Sequence, residues 1–146
     1  MQKEPTNMQL NPTYSFAPID IYKFFSKKII DLIKAGVKKS NIVVDPGIGF
    51  GKTLSDNLNI LKYLPLFHSL GVPILIGASR KSLIAELTNN DYKLREKNKK
   101  DISPSKRLSG SLAFAIHANM CGVQILRTHD VFETNQALIC QKSLDL

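Results

Sequence analysis

The sequence predicts an α/β fold carrying a small parallel sheet, and three observations predict it. Short β-branched runs alternate with stretches of helical hydrophobic period, the order expected of strand–helix units joined by right-handed crossovers. Each run ends in glycines or polar residues. The chain has 146 residues, 43% of them hydrophobic, which makes one domain with enough apolar material for a core and no internal repeat.

Residues 1–17 are polar, carry Pro5 and Pro12, and read as loop. Pro18 and Asp20 open a helix in which Ile21, Phe24, Phe25, Ile29, Leu32 and Ile33 recur at helical spacing, and Gly36 stops it. Asn41 to Val44 is a short apolar run ending at Asp45, the signature of a buried parallel strand. A glycine-rich loop follows from Pro46 to Lys52. A second helix starts near Ser55 and carries Leu58, Leu61, Leu64 and Phe67, with a kink expected at Pro65 and an end at Gly71.

The cycle then repeats. Pro73 to Ile76 is the second strand, Gly77 to Ser79 a loop, and Arg80 to about Thr88 a helix. After a charged loop, a helix is predicted from about Pro104 to Met120, closed by Gly122. Val123 to Leu126 is the third strand, Arg127 to Asp130 its terminal loop, and Val131 to Leu144 the last helix. Three strands make a small sheet whose outer edges need cover.

Composition narrows the function classes. No apolar run approaches the roughly 18–20 residues that span a bilayer, and Met1 does not lead into a signal-peptide pattern, so the expectation is a cytoplasmic chain with no membrane partner. Cys121 and Cys140 lack metal-ligand spacing and read as structural thiols. The formal net charge of +8 suits an anionic partner. Part of the excess sits in Lys93, Arg95, Lys97, Lys99 and Lys100, which show no hydrophobic period and, beyond Tyr92, no interleaved aromatics. This is a solvated loop rather than a nucleic-acid patch.

Polar residues cluster after each strand: Asp45 after the first, Ser79, Arg80 and Lys81 after the second, Arg127 and His129 after the third. In a parallel sheet these points share one rim, the strands' carboxyl ends, where α/β sheets and barrels bind ligands. Singly, each has a plainer reading: Asp45 as a turn cap, Lys81 as a solvated helix residue, His129 as a local hydrogen-bonder, Ser79 and Ser82 as helix caps. Together they give a cationic rim with one carboxylate, suited to a phosphorylated ligand bearing an N–H-rich ring. Two nucleotide motifs fail by counting. A P-loop ending at Gly51-Lys52 requires glycine at position 46, which is Pro46, and a dinucleotide fingerprint starting at Gly47 requires glycine where Lys52 stands.

Four stretches in order resemble the motifs of the dihydropteroate synthase family: Asp45-Pro46-Gly47-Ile48-Gly49-Phe50-Gly51-Lys52, Gly77-Ala78-Ser79-Arg80-Lys81-Ser82, Arg107-Leu108-Ser109-Gly110-Ser111-Leu112-Ala113, and Arg127-Thr128-His129-Asp130-Val131. The start of the chain, with Met8-Gln9 and Asn11-Pro12, is similar to the family's loop after its fifth strand. The resemblance implies a partial TIM barrel, in which three parallel strands alternating with helices form the C-terminal portion of a (β/α)8 barrel, and an incomplete pterin-binding domain over residues 1–146. It favours the synthase over a methyltetrahydrofolate-dependent methyltransferase barrel.

The same resemblance implies the chemistry: 6-hydroxymethyl-7,8-dihydropterin diphosphate and p-aminobenzoate condense to dihydropteroate and diphosphate, with no side-chain nucleophile. It implies that Asp45 accepts from the pterin's amino-pyrimidine edge and that Lys81 bonds polar ring atoms. Arg127 would flank the ring and pair with phosphate, with His129 binding phosphate beside it. Phe50 and the helix beginning near Ser82 would help form the p-aminobenzoate and sulfonamide pocket. Magnesium is implied too, through an asparagine with no counterpart here, so no metal ligand is assigned in this chain. The implied partners are the two small substrates, a separate chain carrying the missing strands, and a family homodimer. On its own the chain is expected to be inactive and to self-associate; the alternatives are a non-catalytic remnant and a basic nucleic-acid-binding module using the Lys-rich loop.

Overall fold

A computed structural model describes residues 13–92 and 102–144; the basic stretch Lys93 to Lys100 and the opening residues 1–12 lie outside the described residues. Seven elements carry the architecture among them: α1 (Ala17–Lys34), α2 (Leu54–Lys62), β1 (Leu75–Ile76), α3 (Ser82–Tyr92), α4 (Leu108–Met120), β2 (Ile125–Leu126) and α5 (Val131–Lys142).

The sheet is parallel. Leu75 stands opposite Ile125 and Ile76 opposite Leu126. Val44 joins the other side of β1 by one parallel bridge to Ile74, its amide donating to Pro73 O at 3.0 Å and its carbonyl accepting from Leu75 N at 2.8 Å. The strand expected over residues 41–44 is therefore reduced to a single bridge. A 3-10 turn over Lys39–Asn41 takes up its start, and residues 42–44 have a neighbour on one side only among the described residues. β-pairing gains little at an edge with no second partner.

Helix boundaries follow local chemistry. α2 opens on a capping box: Thr53 Oγ1 accepts from Asp56 N at 3.1 Å, and Asp56 Oδ2 accepts from Thr53 N at 2.9 Å. The break anticipated at Pro65 is present, with a 3-10 helix over Leu64–Leu70 after α2, because proline cannot donate to the helical ladder. Pro104 likewise opens a 3-10 turn, Pro104–Arg107, so α4 starts later than its sequence period suggested. α3 starts at Ser82 rather than Arg80, because Arg80 sits at φ 56, outside helical space.

That left-handed conformation is held from three sides. Arg80 N donates to Ser111 Oγ at 2.9 Å, and Arg80 O accepts from Arg107 Nη1 at 2.9 Å. The Arg80 guanidinium forks onto Asp130, its Nε donating to Oδ2 at 3.0 Å and its Nη2 to Oδ1. Arg107 is itself buried and also donates to Ile102 O at 2.7 Å. The start of α4 thus clamps the elbow after β1, which fixes where Lys81 leaves the sheet.

The core lies between the sheet and helices α1 to α3, with Ile48, Ile60, Leu64, Phe67, Ile74, Ile76 and Leu83 almost wholly buried. Phe24 on α1 and Phe132 on α5 remain 52% and 75% exposed, so apolar faces of both terminal helices point away from this core.

Candidate functional site

Backbone geometry brings the strand-end residues to one rim. Arg127 N donates to Ile76 O at 2.9 Å, which sets the end of β2 level with Gly77. The Arg127 side chain then lies across Gly77, where an added Cβ would stand 2.8 Å from both Nε and Nη2. Glycine is required here by close approach of a side chain, not by its φ. From this position Arg127 Nη2 is 3.5 Å from Asp45 Oδ2. Asp45 uses its other oxygen, Oδ1, to cap its own loop through Gly47 N at 2.8 Å.

Phe50, Gly77, Ser79, Lys81, Arg127, Thr128 and His129 line a cleft of about 350 Å³. Five residues singled out in the sequence thus meet there: Phe50, Ser79, Lys81, Arg127 and His129. Asp45 lines a neighbouring cleft of about 560 Å³ with Tyr14, Phe24, Phe25, Lys52 and again Phe50. Ser82 is the exposed first residue of α3 and lines neither cleft.

Lys81 Nζ sits 3.8 Å above the centroid of the Phe50 ring, a cation–π contact. Its ammonium is held below the ordinary lysine range by burial first and by the nearby Arg127 charge second, with Asp45 opposing. His129 is oriented by Ser79, whose Oγ lies 3.0 Å from His129 Nδ1 and accepts from His129 N at 3.2 Å. Thr128 Oγ1 extends the network to Ser79 at 3.4 Å and to Thr134 at 3.1 Å. With Nδ1 engaged, Nε2 is the imidazole atom left for a ligand.

Two residues that build this site have larger roles than their plainer readings gave them. Ser79 reads as a helix cap, yet it is buried and orients His129. Lys52 reads as the lysine of a failed P-loop, yet it is only 7% exposed and donates to Gly47 O and Phe50 O, both at 2.9 Å. The signal for Ser79 was its place directly after a strand. For Lys52 it was a lysine embedded among glycines, where a cation can gather loop carbonyls.

Burial pushes the Lys52 ammonium down to about 8, against the opposing pull of Asp45 and Asp56. Because the folded-state value lies below the unfolded one, the folded chain binds fewer protons between about pH 8 and 10.5, and stability rises with pH across that window. The wild type is therefore expected to gain stability relative to Lys52→Met between pH 7.5 and 9.5 in urea denaturation. A wild-type stability, taken relative to the variant, that stays constant or falls over this range would show that Lys52 is not depressed.

A sequence profile described as "Pterin binding enzyme" matches residues 1–129. The dihydropteroate synthase of Escherichia coli strain K12 is 41% identical over 138 residues, which are 94% of this chain and 45% of that protein. Among solved structures, Yersinia pestis dihydropteroate synthase in complex with a sulfonamide drug superposes with TM-score 0.87 at 38% identity, over 99% of this chain and 48% of that one. Xanthomonas albilineans dihydropteroate synthase with 4-aminobenzoic acid gives TM-score 0.80 at 36% identity, over 92% of this chain and 48% of that one. The chain spans about half the length of the relatives it matches, and its fold is a partial (β/α)8 barrel.

Proposed function

Because the chain belongs to the pterin-binding enzyme family, among the dihydropteroate synthases, we propose that residues 1–146 form an incomplete pterin-binding domain, the C-terminal strand–helix units of such an enzyme. In this reading it supplies the diphosphate-facing part of a site that condenses dihydropterin diphosphate with p-aminobenzoate in folate biosynthesis. The observation that carries the reading is the convergence of Lys81, Arg127 and His129 on one cleft, with the Asp45 carboxylate 3.5 Å from Arg127.

The chemistry follows from those groups. The bond between the pterin methylene carbon and the diphosphate oxygen breaks, and its electron pair leaves with diphosphate. The aryl amine lone pair forms the new C–N bond, and the amine gives up a proton. Arg127 and His129 Nε2 donate to the departing oxygens, whose charge grows as the bond breaks, and the Arg127 charge stabilises that growth. Asp45 keeps acceptor capacity beyond its bond to Gly47 N and takes the paired N–H groups of the amino-pyrimidine edge. Lys81 donates to ring polar atoms from above Phe50, and Phe50 walls the aryl-amine side.

Magnesium, which the family resemblance implies, finds no cage among the described residues: no group of three or more His, Cys, Asp or Glu is placed to hold a metal ion. Asp45, the carboxylate on this rim, is a single ligand paired with Arg127 and does not make a metal cage by itself.

The remaining barrel strands, in the same or a separate polypeptide, are the partner this reading requires. Co-expression with a chain carrying the first five strands of the family barrel is expected to give a complex that forms dihydropteroate, while the purified chain alone gives none. Turnover by the isolated chain would overturn the half-site assignment. A complex that assembles but forms no product would overturn the synthase assignment in favour of a non-catalytic remnant. The basic-module alternative rests on Lys93 to Lys100, outside the described residues.

A further inference from the structure

The loop between Asp45 and α2 is closed around a buried cation. Gly47, Gly49 and Gly51 all adopt positive φ, at 71°, 79° and 58°, which is open to glycine at little cost. Inside the turn so formed, the Lys52 ammonium collects Gly47 O and Phe50 O, both at 2.9 Å. The loop is tied from outside as well. Gly49 N donates to Asn57 Oδ1 at 2.7 Å, and buried Asn57 donates onward to Thr53 O at 2.8 Å.

Lys81 rests on this loop at two points. A Cβ on Gly49 would stand 3.2 Å from Lys81 Cδ, so the lysine stem lies against that glycine. The Lys81 ammonium then sits over the Phe50 ring. Phe50 lines both clefts, and its carbonyl is one of the two that Lys52 holds.

We propose that Lys52 is a positioning residue: by gathering the carbonyls of Gly47 and Phe50 it fixes the Phe50 ring as the wall between the two clefts, and through that ring it fixes the Lys81 ammonium. In this role Lys52 acts on a ligand only through Phe50 and Lys81. Its importance for ligand binding rests on the site reading given above; its control of Lys81 does not.

NMR of the full chain with isotope-labelled lysine separates the two. An ammonium stacked over an aromatic face carries an upfield ring-current shift on its neighbouring methylene protons. Phe50→Leu, which removes the ring and leaves Lys52 intact, sets the shift of an unstacked Lys81. Lys52→Met is expected to move the Lys81 signal towards that unstacked value, and Lys52→Arg, which keeps donors and charge, to move it less. A folded Lys52→Met chain whose Lys81 signal stays at the wild-type value would overturn the proposal. If Lys52→Met does not fold, Lys52→Gln, whose shorter stem cannot bring a donor to both carbonyls, decides: displacement of the Lys81 signal towards the unstacked value supports the coupling, and a folded variant with no displacement refutes it. Titration of the co-expressed complex with p-aminobenzoate then tests the site reading separately: absence of aryl-amine binding there removes the pocket and leaves the positioning role standing.

Discussion

Gly110→Ala is expected to destabilise the chain by about 1–2 kcal/mol, even though the same change in an exposed helix stabilises by up to about 1 kcal/mol. Gly110 lies in the first turn of α4 where it meets α3. A Cβ there would stand 2.4 Å from Ile84 Cγ2, 3.3 Å from Cγ1 and 3.4 Å from Cβ. Ile84 is 6% exposed and β-branched, so its γ carbons have little room to rotate away. The helices must part or Ile84 must strain, and overpacking of this kind costs about 1–3 kcal/mol. The loss should appear as a lowered midpoint in thermal or urea denaturation. Combined with Ile84→Ala, which removes the obstructing γ carbons at a cost of its own, the double mutant should lose less than the sum of the two single changes. Strict additivity would mean that the two side chains do not compete for space.

Gly77→Ala is expected to leave the fold nearly intact and to weaken diphosphate binding by roughly 10–100-fold, the range set by about 1.5–3 kcal/mol for a charge-assisted hydrogen bond. The numbers resemble those at Gly110, with a Cβ 2.8 Å from Arg127 Nε and Nη2, but the obstructed group differs. The Arg127 side chain is 59% exposed and ends in a flexible stem, so it swings away at little cost to the protein. What is lost is its place in the cleft and its approach to Asp45. Binding of inorganic diphosphate, followed by NMR or calorimetry with Arg127→Met as reference, is the measurement. Wild-type affinity in Gly77→Ala would show that Arg127 binds the anion from some other position.

The element order and the rim were legible in the sequence because both are local. A β-branched run followed by Asp45, by Ser79-Arg80-Lys81 or by Arg127-Thr128-His129 places those residues at strand ends whatever the rest of the fold does. The resemblance of the four stretches to one family supplied the barrel, which three strands alone could not specify. The strand before Asp45 was overestimated because periodicity reports which residues suit a strand. It does not report whether a neighbouring strand is present to pair with them.

The polar residues that organise the site were hidden because their partners are far along the chain. Ser79 meets His129 at a separation of 50 residues, and Arg80 N meets Ser111 at 31. Arg107 could be seen as a motif residue, but its role in clamping the φ 56 elbow depends on the crossing of α3 and α4. Lys52 shows a different failure. Counting residues correctly removed the nucleotide-loop readings, but it gave no account of where a buried ammonium would find acceptors. The acceptors were the carbonyls of its own loop.

Phe50 belongs to both clefts, and this ties their sizes together. A single ring that is the partition of two adjoining chambers cannot be moved to enlarge one without taking room from the other. A smaller side chain at that position would merge them, and a larger one would crowd both. The occupants of the two chambers are thus matched to each other as a pair, and any change that suits one must be accommodated by the shape of its neighbour.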